Sequence, residues 1–199
     1  EADIDRMVKQ NARISTVDRA AQNGDTVTLL ADINLTEADC VAGADRKVLV
    51  DVAGKDITLN MNGKNISVVH EDAFTNDYIV AVIRVADGAG LTVTGNGTID
   101  VKVLAENPDL AYMFWKRGKT GHLNIEGGKF FMNNAEDSMV YTNGSDIVNV
   151  TGGTFVLEAV GTRSNGHPWI FNAQGRNERH INVSGGSFNA NIYNQYWRF

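Results

Sequence analysis

Cysteine is nearly missing: Cys40 is the only one in 199 residues. An internal disulfide is therefore excluded, and so is a zinc site of the multi-cysteine type. Proline is almost as scarce, with 2 residues. There is no basic excess either. Lys and Arg number 18 against 24 Asp and Glu, a formal net charge of -6. That argues against a general nucleic-acid binder, which presents a basic face to phosphates. No apolar run reaches the ~18 residues that a membrane-spanning helix requires. The opening residues Glu1 to Asp5 have neither the basic start nor the apolar core of a signal peptide. The first residue is not Met, so a processed product or a piece of a longer polypeptide is expected. What is abundant is turn chemistry, with 20 Gly and 21 Asn. With 43% hydrophobic and 21% charged residues, the composition is that of a globular chain built from many short extended segments.

An internal repeat organises those segments. Leu123-Asn-Ile-Glu-Gly-Gly-Lys-Phe130 recurs at 148–155 and again at 181–188, with looser copies at 59–66 and 91–99. The first glycines stand at 63, 95, 127, 152 and 185. Within each copy apolar and polar residues alternate up to a glycine corner, the mark of a strand with one buried face. A strand is expected before each copy, at Val48–Val52, 82–85, 112–115, 139–141 and 169–171, and a third short strand after it. Three strands and three turns in 25–33 residues make one coil of a parallel β-helix. Such a coil buries its inward row only when further coils stack upon it. A propeller blade has a longer period of about 40–45 residues. The expected fold is all-β, a parallel β-helix of about five to six coils.

The N-terminal segment 1–24 is expected to hold a short capping helix, leaving 25–199 as the β-helix domain. Ser15-Thr-Val-Asp18 is a capping box, and Gly24 stands where a C-cap belongs. A helix here would cover the open end of the stack and its unpaired strand edges.

The segment from Thr16 through Leu29, with the coils that follow, resembles the pectin-lyase-like right-handed parallel β-helix superfamily over roughly residues 15–192. The Gly-Gly-x-Phe coils look most like those of bacteriophage head-fibre and tail-spike proteins and of bacterial surface β-helices. The resemblance implies a right-handed helix. It says little about activity, because one fold carries many functions. Relatives of the polygalacturonase type use Asn-Thr-Asp, Asp-Asp, Gly-His-Gly and Arg-Ile-Lys motifs. None is complete here: Leu123 follows Gly121-His122, Pro168 follows Gly166-His167, and no Asp-Asp pair occurs. No catalytic residue is carried over, and neither a cofactor nor a metal site is expected. Acidic residues, Glu158 among them, gather in the loops after the third strands and read as a solvated rim. Arg163 and His167 lie in a Gly/Asn-rich loop and read as loop-surface residues that could face those acids.

Strict alternation along the strand before each repeat puts Leu49, Ile83, Met113, Met139 and Ile170 inward. Their neighbours Tyr112, Phe114, Val140, Trp169 and Phe171 then face outward as an aromatic stripe. A soluble monomer seldom exposes such a patch. Three readings fit it: a row in fact packed inward, a subunit interface as in homotrimeric fibres, and a platform for stacking sugars. The expected function is a non-enzymatic structural and recognition module, a fibre or decoration protein of a virion or cell surface that presents a host- or glycan-binding surface. The expected assembly is a homo-oligomer, a trimer above all. A polysaccharide lyase or glycoside hydrolase and a bacterial glycan-binding adhesin are the alternatives.

Overall fold

The computed structural model describes residues 21–41, 47–70, 79–103, 112–133, 138–143, 147–161, 169–174 and 180–194. The expected capping helix, Arg163 and His167 lie outside the described residues. The first coil comprises β1 (Thr26–Thr28), β2 (Ile33–Leu35), a single 3-10 turn (Glu37–Asp39) and β3 (Val48–Val52). The second is β4 (Asp56–Asn60), β5 (Asn65–His70) and β6 (Ala81–Val85). The third is β7 (Gly90–Thr94), β8 (Thr98–Val103) and β9 (Tyr112–Lys116). The fourth is β10 (His122–Ile125), β11 (Lys129–Asn133) and β12 (Ser138–Thr142). The fifth is β13 (Ile147–Val150), β14 (Thr154–Gly161) and β15 (Trp169–Ala173), and β16 (His180–Val183) and β17 (Ser187–Asn194) begin a sixth. No described helix is long and apolar enough to cross a membrane.

Each strand pairs with the strand three places on, and every such pairing is parallel. Three sheets result, of six, six and five strands, so the chain is a parallel β-solenoid. Its interior is one column of apolar layers. Ile33, Ile66, Ile99, Phe130, Phe155 and Phe188 share one register position. Aliphatic side chains fill the early layers and leave an apolar cavity of about 20 Å³ among Val27, Val50, Leu59 and Leu91. Phenylalanines fill the later ones, Phe155 touching Phe130, Phe171 and Phe188 at centroid distances of 4.7, 5.5 and 5.4 Å.

The Gly-Gly pair of the repeat has two separate causes. A Cβ on Gly152 would lie 2.2 Å from the Glu126 carbonyl oxygen, so the corners of successive coils stack too closely for any side chain. Gly153 has φ 95°, a left-handed conformation that glycine adopts at no steric cost. The looser copy at 59–66 is offset from the others by two residues: Ile57 pairs with Leu91 and Leu59 with Val93. A corner of four residues between β4 and β5, with both Asn62 and Gly63 left-handed, takes up part of the offset.

The third sheet (β3, β6, β9, β12, β15) departs from strict alternation. Its ladder runs Val48–Ala81 and then Val50–Ile83, and the same skip recurs between β6 and β9 and between β9 and β12. Both Leu49 and Val50 join the central core, as do Val82 with Ile83, Met113 with Phe114, and Met139 with Val140. Two consecutive residues can face the same side only if the strand bends between them. This corrects the expected outward stripe. Phe114 and Val140 are fully buried in the core, and Phe171 packs against it. Tyr112 sits in a second, smaller cluster with Val48, Ala81, Trp115 and Tyr141.

Candidate functional site

Two polar devices tie coil to coil before any binding surface is formed. On the third sheet Asp51 and Arg84 are register partners on β3 and β6. Arg84 Nε and Nη2 donate to Asp51 Oδ1 and Oδ2 at 2.8 and 2.6 Å, a bidentate pair with side chains only 7% and 13% exposed. Trp115, next in register, lies 6.0 Å from the Arg84 guanidinium and 5.4 Å from that of Arg117. Tyr112 and Tyr141 stack beside it at 4.2 Å and 5°, and the Tyr141 hydroxyl hydrogen-bonds Gln174.

The second device lies at the corner after β9. Lys116 is fully buried, and its Nζ donates to the carbonyls of Ala86, Arg117 and Thr120 at 3.1, 3.1 and 3.0 Å. Three ammonium donors thus meet three acceptors, which is what a buried lysine requires. Asp87, one coil earlier, accepts from the backbone N–H groups of Thr120 and Lys119 and from the Thr120 hydroxyl. Those hydrogen bonds, that from the Thr120 N–H foremost, hold its carboxyl below the ordinary 3.8, and the Lys116 charge adds a smaller pull. A depressed carboxylate pKa stabilises the fold above the unfolded-state value and is lost as pH falls through the folded-state value. Asp87→Asn is therefore expected to lower the melting temperature at pH 7. It should also flatten the loss of stability on acidification below the ordinary carboxylate range. Superimposable acid limbs for the variant and the parent would overturn this role.

The surface best suited to a ligand is on the outer side of the second sheet (β2, β5, β8, β11, β14, β17). There a groove of about 420 Å³ runs over β8, β11 and β14. Phe131 forms its middle, half-buried between the inward-facing Phe130 and Met132. Asp100 and Val156 are its register neighbours, and Asn133 pairs with Glu158 one step along the strands. Lys102 Nζ lies 3.5 Å from Asp100 Oδ2. An aromatic face is thus framed by carboxylate, amide and ammonium groups. Asp100 and Glu158 stand two strands and two residues apart, ~12 Å between Cα atoms from ladder spacings. No group of three or more His, Cys, Asp or Glu able to hold a metal ion occurs among the described residues.

Of the five residues of the expected stripe, all of them described, Trp169 is the one left at the surface, 46% exposed on β15. Tyr112 is half-buried, while Phe114 and Val140 lie in the core. The structure does not bring these residues together as one exposed platform. The aromatic that does line a groove, Phe131, is not among the residues the sequence singles out. Its signal was local: in the run Phe130-Phe131-Met132, alternation turns the middle residue outward.

Fold and groove together define a parallel β-solenoid with a polar-framed aromatic groove on one wall. No protein-family model, no curated protein and no solved structure matches the chain.

Proposed function

We propose that the chain is a non-enzymatic structural and recognition module of a virion or cell surface, of the pectin-lyase-like right-handed β-helix kind, and that it binds a glycan in the groove over Phe131. The carrying observation is that groove: an aromatic face aligned with strand-borne hydrogen-bonding groups of both signs. Pyranose rings present C–H faces that pack on aromatic rings, while their hydroxyls need donors and acceptors nearby. The wall holding these groups is stiff, because each strand of the groove is paired on both sides. A homotrimer is the proposed assembly, with Trp169 at the contact between subunits.

The test is a glycan array followed by titration with the best-bound oligosaccharide. Phe131→Ala is expected to weaken binding by about tenfold or more, a loss of ~1.4 kcal/mol, with an unchanged circular dichroism spectrum. Absence of any glycan bound by the parent, or binding indifferent to Phe131, would remove the recognition reading. Release of reducing or unsaturated sugars during the titration would replace it with the lyase or hydrolase one. A monomeric mass by light scattering at high concentration would remove the trimer.

A further inference from the structure

We propose that the outer side of the first sheet (β1, β4, β7, β10, β13, β16) is an ice-binding face. The proposal does not depend on the glycan groove, which lies on another wall.

The argument begins with register. Thr26, Thr58, Thr92, Asn124, Asn149 and Asn182 pair strand to strand in one unbroken column across all six strands. A second column stands two residues further along each strand: Thr28, Asn60, Thr94, Glu126, Thr151 and Ser184. Backbone hydrogen bonds from Glu126 to Val93, Thr151 to Ile125 and Ser184 to Val150 carry the parallel pairing through that second column. Between the columns the alternate residues Val27, Leu59, Val93, Ile125 and Val150 are buried in the core. Every position of both columns except Glu126 bears a neutral hydroxyl or amide.

Ladder geometry turns this pattern into a rectangular net, ~4.8 Å between strands and ~6.8 Å along them. These spacings are close to repeats of the oxygen lattice in hexagonal ice. The net is also held still. Threonine is β-branched and restricted at χ1. The amides are locked to one another: Asn149 Nδ2 donates to Asn124 Oδ1 at 2.9 Å and Asn182 Nδ2 to Asn149 Oδ1 at 3.1 Å. Asn124 Nδ2 reaches Thr92 Oγ1 at 3.4 Å. Water bridging fixed polar groups at fixed intervals is already ordered, so its immobilisation cost at a crystal surface is small. An ionised side chain in such a net instead holds a hydration shell of its own. Glu126, exposed in the second column, is the one such defect within the two columns. On the same side Asp56 of β4 and His122 of β10, Nε2 to Oδ1 3.4 Å, stand one outward position before the first column and bound the net there.

The test is thermal hysteresis and ice-crystal shaping by the full chain. Faceted crystals and a measurable gap between melting and freezing are expected. Glu126→Thr, which completes the net, is expected to widen the gap about twofold, and Thr92→Lys or Thr58→Lys to narrow it severalfold by displacing ordered water. Circular dichroism melts confirm that each variant is folded, and Phe131→Ala, on the other wall, should leave the gap unchanged. No hysteresis together with exclusion of the protein from a slowly grown ice front overturns the proposal. So does hysteresis that neither Glu126→Thr nor the lysine variants change.

Discussion

Phe155→Ala is expected to lower folding stability by about 3–5 kcal/mol, the cost of emptying a closely packed aromatic site. Phe155 is fully buried and touches rings in three directions, Phe130 in the coil before it, Phe188 in the coil after it and Phe171 across the interior. Its removal therefore opens a void between layers as well as within one. In a chain of this size the loss corresponds to a fall in melting temperature of ~6–20 °C. Phe155→Leu keeps most of the volume and should lose much less. A loss below about 1 kcal/mol for Phe155→Ala would show that neighbouring layers collapse freely onto each other. The stack would then not be close-packed at this level.

Arg84→Met is expected to cost about 3–5 kcal/mol, because it strands the Asp51 carboxylate where water scarcely reaches. Both oxygens of Asp51 are held by the guanidinium. The double variant Asp51→Leu with Arg84→Met removes the stranded charge, and it should recover most of the loss. If the single variant is as stable as the parent, the ion pair is solvated and the outer cluster around Trp115 does not shield it. If the double variant is as unstable as the single one, the pair holds the third sheet by shape rather than by charge.

Much of this architecture was legible because a solenoid repeats its instructions. The apolar-polar alternation and the glycine corners at 127–128, 152–153 and 185–186 mark the strands of the later coils to within a residue or two. Leu123, Val148 and Ile181 align by eye and pair in space. The first copy aligns by sequence two residues away from its structural register, because Leu59-Asn-Met61-Asn-Gly63 imitates the motif while its corner is longer. The third sheet hides its register in the sequence for a different reason. Counting by two assumes a straight strand, and nothing in the residues Leu49-Val50 or Met113-Phe114 announces a bend between them, since both members are apolar. Contacts across a full coil were illegible as well. Asp51 and Arg84 lie 33 residues apart, and only the register makes them partners. Lys116, last residue of a strand, looks like an ordinary surface lysine until the corner carbonyls are seen to converge on it.

The strand ladders are indifferent to how much chain joins them. Leu123 and Val148 are separated by 25 residues and Val148 and Ile181 by 33, yet both pairs form the same rungs. Three of the extra residues lengthen β14 to 8 residues against 5 in β11, and the rest fall outside the strands, where doubling a connection costs only about 0.6 kcal/mol of closure entropy. Scaffold and connection can thus vary separately: the ladder register is kept whatever the length of chain between its courses, which makes the molecule a ready chassis for engineered insertions.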